Sequence, residues 1–156
     1  MKKIIDESKT IRVSKLKNGT VIDHLKAGTA FKTLKVLGIG EDCVLSIGMN
    51  FDSGKYGKKD IIKIENYTLS SNQLNKIAII SPYATYCIVK DYQVIQKEKV
   101  RLPDILENIV RCNNPRCITC QEKVNTRFYV LKKDPIQLKC HYCEKRMDEM
   151  ELELII

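Results

Sequence analysis

The chain has 156 residues, 44% hydrophobic and 29% charged, with a formal net charge of +8. That length admits one ordinary domain, or one of about 100 residues with a small appendage. No run approaches the roughly 18 apolar residues of a membrane span, and Met1-Lys2-Lys3-Ile4-Ile5 turns polar at Asp6 before a signal-peptide core accumulates. No membrane contact is expected, and seven cysteines without a secretory signal imply a reducing, cytoplasmic compartment. Residues 1–100 hold 17 Lys/Arg against 10 Asp/Glu, whereas residues 101–156 hold 10 against 9. A polyanion is therefore expected to meet the first part of the chain.

Residues 1–10 are charged and aperiodic and read as a mobile arm or one that orders on a neighbour. Ile11–Leu16 alternates loosely, Asn18-Gly19 marks a turn, and Thr20–Leu25 reads as a strand. Ala27, Ala30, Phe31, Leu34 and Leu37 recur at helical spacing and are closed by Gly38 and Gly40. Cys43–Met49 and Ile61–Ile64 read as strands joined by a hairpin through Asp52-Ser53-Gly54 and Gly57. Ser70 with Gln73 forms a capping box for a helix carrying Leu74, Ile77 and Ala78, stopped by Ser81-Pro82. Ala84–Val89 and Tyr92–Lys97 complete the strands, and Lys97–Pro103 reads as an exit linker. The order β-α-β-β-α-β with an extra strand predicts an α+β fold, a ferredoxin-like antiparallel sheet with both helices on one face.

The tail carries Cys112-x4-Cys117, then Cys140-x2-Cys143 after twenty-two intervening residues. Two short thiolate pairs at that separation suit one tetrahedral Zn2+ between hairpins of a small all-β module, and a closed four-thiolate site is structural. A module of about 50 residues is near the limit of what an apolar core stabilises alone, so a metal supplies needed folding free energy. Cys120 offers an alternative, since Cys117-x2-Cys120 with Cys140-x2-Cys143 spells a regular zinc ribbon, and spacing does not choose between them. Disulfides or metal-free thiols are the other readings of these cysteines. His141 lies inside the second pair, in a tight turn where its side chain is expected to point outward. Once four thiolates remove four charges and Zn2+ returns two, the net charge falls to +6.

No phosphate-binding loop, G-x-S-x-G or dinucleotide fingerprint occurs, and the chain has two histidines. Asp23 and His24 are adjacent in a strand and are expected on opposite faces, which argues against an acid/base pair. They serve binding more readily: His24 donates to a phosphate, Asp23 accepts from a ribose hydroxyl, and Lys63 and Lys97 lie on strands of the same sheet. The competing class is a zinc-ribbon nucleic-acid-binding protein, favoured by a pI of about 9.1. The near-neutral tail and the absence of Trp count against it.

Gly19-Thr20-Val21-Ile22-Asp23-His24, Gly57-Lys58-Lys59-Asp60-Ile61-Ile62-Lys63-Ile64-Glu65-Asn66, Leu102-Pro103 leading to Cys112-x4-Cys117-Ile118, and Lys139-Cys140-x2-Cys143-Glu144 closely resemble the regulatory chain of aspartate carbamoyltransferase. The resemblance runs from about residue 12 to the end of the cysteine module. It implies a non-catalytic subunit of pyrimidine biosynthesis, with residues 1–101 an allosteric domain binding CTP or ATP at one site. Residues 102–156 would be a zinc domain docking on the catalytic chain. Carried onto matching positions, it makes Asp23 and Lys63 ribose and base contacts and Lys97 a triphosphate contact, with His24 nearby. It further assigns Lys59 near the phosphates, the backbone around Leu16 and Tyr92 to the base amino group, and Val13, Val89 and Val94 to the pocket wall. It selects Cys112, Cys117, Cys140 and Cys143 as zinc ligands, leaving Cys120 spare. It implies regulatory-chain homodimers bridging catalytic trimers in a dodecamer of six catalytic and six regulatory chains, with UTP a further nucleotide and no nucleic-acid partner. Ser14 stands where an acidic residue is expected, and Cys87 where an amide side chain is common.

Overall fold

The computed structural model describes residues 15–156; the expected N-terminal arm, Val13 and Ser14 lie outside them. The first half holds β1 (Gly19–Lys26), α1 (Ala30–Leu37), β2 (Leu45–Ser53), β3 (Gly57–Glu65), α2 (Ser71–Ile80), β4 (Thr85–Lys90) and β5 (Gln93–Lys99). The strands pair in the order β2-β3-β1-β4-β5, antiparallel throughout. The predicted order of elements is therefore present, with boundaries shifted by a few residues. β3 starts at Gly57 rather than Ile61, and β5 runs through Lys97–Lys99, which the sequence suggested as linker.

Period-two alternation decides which side of the sheet closes. Ile22, Ile62 and Ile64 are fully buried in one cluster with Ala30, Leu34, Leu37, Ile77 and Ala78, so both helices cover the face to which those three strand residues point. Each such side chain contributes about 1.5–3 kcal/mol on burial. The α1 stripe is Ala30, Leu34 and Leu37 with Thr33 and Val36. Phe31, expected on that stripe, is 65% exposed because it stands one residue, about 100°, past Ala30. Ala27 precedes the helix. Gly38 closes the helix at φ 63°, donating its N–H to the α1 carbonyls.

The Ser70 capping box forms, Ser70 Oγ accepting from Gln73 N–H at 3.2 Å and Gln73 Oε1 from Ser70 N–H at 3.0 Å. The Gln73 amide also donates to Leu37 C=O at 2.8 Å, tying the start of α2 to the end of α1. At α1 the capping group comes from elsewhere. Thr29 gives no side-chain cap; the fully buried Asp60 of β3 accepts from Ala30 N–H at 3.0 Å and from Asn50 N–H at 2.9 Å. A carboxylate at a helix N-terminus meets the positive end of the helix dipole.

The second half holds β6 (Ile105–Glu107), β7 (Val110–Arg111), a single helical turn α3 (Ile118–Gln121), β8 (Arg127–Lys133), β9 (Ile136–Cys140), β10 (Arg146–Asp148) and β11 (Glu153–Leu154). Four strands pair as β10-β9-β8-β6, and β11 pairs with β7. Leu106, Phe128, Leu138 and Met147 are fully buried around Cys112, Cys117 and Cys140. Ile79 of α2 inserts into this second cluster and Leu102 packs against both, so the two cores are joined by apolar contact.

Replacing Asp60 by Ala leaves the buried Ala30 N–H and the half-buried Asn50 N–H without an acceptor. The expected loss is about 2–5 kcal/mol of unfolding free energy, read from urea denaturation by far-UV circular dichroism. A midpoint unchanged from the parent would show that α1 does not need this cap.

Candidate functional sites: a four-thiol centre and an open sheet face

The Sγ atoms of Cys112, Cys117, Cys140 and Cys143 lie within 4.8 Å of one another. Cys112 follows β7, Cys117 precedes α3, Cys140 ends β9, and Cys143 follows in the next turn. Cys112 to Cys143 is 3.7 Å and Cys117 to Cys140 is 3.8 Å. Zn–S bonds of about 2.3 Å at tetrahedral angles place sulfurs about 3.8 Å apart, so the donor set fits that ion. No disulfide joins these sulfurs, which stand well beyond the S–S bond length of about 2.05 Å, and all seven cysteines are free. Cys120 is exposed and donates to Cys112 C=O at 3.2 Å, outside the cluster, which resolves the choice that spacing left open. His141 is exposed, its Nδ1 2.8 Å from Tyr129 Oη, and takes no place among the donors.

Burial pushes the thiols of Cys112 and Cys140 up. Burial also acts against ionisation of Cys143, but hydrogen bonds from the Asn114 side chain and the Lys145 backbone outweigh it and hold that thiol down to about 7. A cation entering the cluster must therefore displace protons.

The sheet face opposite the helices carries the other candidate residues. Register aligns Lys63 with Val21, Val21 with Cys87, and Cys87 with Lys97. These four side chains form one row across β3, β1, β4 and β5, pointing away from the face of Ile22 and Ile62. At about 4.8 Å per strand, the Cα atoms of Lys63 and Lys97 are about 14 Å apart. Gly19 aligns with Val89 and Val89 with Val94 along the same face. Val89 is buried while Val94 is 59% exposed.

Asp23 and His24 do not diverge as regular strand residues would. The β1–β3 register shifts between Ile22 and Leu25, and His24 takes φ 57°. This bulge returns Leu25 to the core, 1% exposed, and leaves both intervening side chains in contact. His24 Nδ1 lies 3.5 Å from Asp23 Oδ2 and 3.2 Å from Thr85 Oγ1. Lys59 Nζ stands 2.9 Å and 3.2 Å from the two oxygens of the Asp23 carboxylate. Asp23, His24, Lys59 and Thr85 are thus one polar network beside the middle of the Lys63–Lys97 row, two residues further along β1 and β4. Thr85 carried no local signal; only cross-strand pairing brings it to His24.

At the opposite end of β1 and β4, Tyr92 N–H donates to Lys17 C=O at 2.9 Å and Asp91 N–H to Asn18 Oδ1 at 3.0 Å. The segment after buried Leu16 is therefore fastened to the β4–β5 turn, where Tyr92 adopts φ 64°. Burial pushes the Cys87 thiol up, with Lys97 acting against and Asp23 along with that shift.

The first half is a ferredoxin-like antiparallel sheet with a charged open face, and it is joined to a small β module that carries four clustered thiols. Two family models match the chain: aspartate carbamoyltransferase regulatory chain, allosteric domain, over residues 11–101, and its metal binding domain over residues 104–153. Similar proteins include the aspartate carbamoyltransferase regulatory chains of Pyrococcus furiosus, 46% identical over 91% of this chain and 95% of theirs, and of Bacteroides thetaiotaomicron, 42% identical over 96% and 99%. That of Methanothermobacter thermautotrophicus is 45% identical over 92% and 93%. The chain belongs to the aspartate carbamoyltransferase regulatory chain family, whose members are regulatory rather than catalytic.

Dialysed Cys117→Ser is expected to lose the bound metal and the near-UV signal of the C-terminal module, while Cys120→Ser keeps one metal ion per chain by atomic emission. Because Cys112 and Cys140 bind protons more tightly than ordinary thiols, retention weakens as pH falls. Metal uptake by the stripped chain at neutral pH releases protons to a weakly buffered indicator. Uptake without proton release would contradict the thiolate assignment.

Proposed function

We propose that residues 1–101 form the nucleotide-binding allosteric domain of a regulatory subunit in pyrimidine biosynthesis, and that residues 102–156 form the zinc domain that contacts the catalytic chain. CTP and ATP share one effector site on the open sheet face. Asp23 and Lys63 meet the ribose and base, Lys97 meets the triphosphate, and Lys59 and His24 stand beside it. Val89 and Val94 supply apolar walls, and the backbone near Leu16 and Tyr92 faces the exocyclic amino group. The observation that carries this reading is the shared face: Lys63 and Lys97 end one row across the sheet, with the Asp23–Lys59 pair beside it. Lysines set apart on one face suit a ligand with separate base and phosphate ends, held by charge-assisted hydrogen bonds.

The metal, zinc in this reading, supplies folding free energy to the module and no chemistry of its own. Cys112, Cys117, Cys140 and Cys143 hold it, and the module presents a fixed surface to the catalytic chain. Regulatory homodimers then bridge catalytic trimers in a cytoplasmic dodecamer, a compartment that suits seven free cysteines. Effector binding changes activity only through different affinity for two quaternary states. The shared ribose and phosphate contacts give affinity, and the base end decides direction.

Calorimetric titration of the metal-loaded chain with CTP, repeated with ATP present, is expected to show saturable binding that ATP displaces. Lys97→Ala weakens CTP binding about tenfold or more. Unchanged affinity in that variant would place the phosphates elsewhere and refute the proposed pose.

A further inference from the structure

The His24 ring meets a side-chain chain that leaves the open face and ends in the C-terminal module. Its centroid is 6.0 Å from that of Tyr56, in the β2–β3 hairpin, at an interplanar angle of 80°. Tyr56 stacks on Tyr83, in the α2–β4 loop, at 5.3 Å and 23°. Tyr83 Oη donates to Asp134 Oδ2, in the β8–β9 hairpin, at 2.9 Å. His24, Tyr83 and Asp134 together border a cleft of about 320 Å³ floored by Ile79, Ile80 and Ile136. This chain therefore joins an element of the first half to one of the second through an aligned phenol and carboxylate rather than through the apolar core.

The arrangement is directional at each step. Offset stacking fixes the Tyr83 ring plane relative to Tyr56, and a phenol donating to a carboxylate is a charge-assisted bond with a narrow angular range. The hydrogen bond to Asp134 also pushes the Tyr83 phenol up, keeping it protonated as donor. Moving His24 or the β2–β3 hairpin by a fraction of a ring width must either carry the β8–β9 hairpin along or break the bond. The contact thus has one end on the first half of the chain and the other on the β8–β9 hairpin.

We propose that Tyr83 is a positioning residue that couples the effector site to the C-terminal module, held by Tyr56 and His24 on one side and bonded to Asp134 on the other. The role rests on the effector reading given above and adds to it a specific route between the two halves. Ligand contact at His24 alters the Tyr56–Tyr83 stack, and the β8–β9 hairpin follows through Asp134.

The test uses the full chain assembled with its catalytic chain. CTP binding is measured by calorimetry, and the CTP-induced shift in half-saturating aspartate is measured in the holoenzyme. Tyr83→Phe keeps the ring and removes the donor, Asp134→Ala removes the acceptor, and Asp134→Asn keeps an acceptor. In Tyr83→Phe and Asp134→Ala, CTP affinity is expected to stay within about twofold of the parent while the aspartate shift falls by about half or more, and Asp134→Asn restores most of it. A full shift in both Tyr83→Phe and Asp134→Ala, with binding intact, would overturn the coupling role and leave the effector site standing. A parent that fails to bind CTP would overturn both, and one that binds CTP without any aspartate shift would overturn the coupling role.

Discussion

Burial of Ile22, Ile62 and Ile64 under both helices decides everything else about the first half of this chain. Because strand side chains alternate, committing those residues to the core commits Val21, Asp23, Lys63 and Cys87 to the opposite face. The antiparallel order β2-β3-β1-β4-β5 then converts separated sequence positions into a row of neighbours. Lys63 and Lys97, 34 positions apart in the chain, end that row because β1 and β4 lie between β3 and β5. A helix on each face would have buried these lysines or excluded them. The one-sided arrangement is what leaves a charged surface available to a ligand.

The second half depends on a different constraint. Its apolar cluster contains Cys112, Cys117 and Cys140 as members, so the donors are part of the core and not an attachment to it. The short strands β6, β7, β10 and β11, of two or three residues each, bury little area individually. A tetrahedral ion bonded to these four sulfurs would fasten the loops that those strands cannot. The seating of Ile79 in this cluster joins α2 to it, Leu102 packs against both clusters, and the Tyr83–Asp134 bond is a separate polar contact between the halves.

Sequence pattern was most informative where a local rule held without outside help. The Ser70–Gln73 capping box, the Gly38 stop and the strand alternation each depend on residues within a few positions of one another. It failed where a distant group intervened. Asp60 caps α1 from β3, which no helix-start rule can anticipate. The bulge at His24 reverses the expected divergence of Asp23 and His24, since it follows from the demand of Leu25 for the core against the register of β3. Phe31 shows the same limit in reverse, apolar by composition yet turned to solvent.

The sequence by itself determined the order of elements, the one-sided sheet and the existence of a thiolate centre, because hydrophobic period, capping residues and cysteine spacing are local properties. Its blocks also carried the family resemblance. Spacing left Cys112 and Cys120 open and the resemblance selected Cys112; the tertiary structure gives the physical reason, since it is the Cys112 sulfur that lies within 4.8 Å of the other three while Cys120 bonds to the Cys112 carbonyl. Only the tertiary structure brought Lys59 onto Asp23, Thr85 onto His24 and Tyr83 onto Asp134. Those contacts join residues between 36 and 61 positions apart, and strand register and loop packing, not local propensity, set which of them meet.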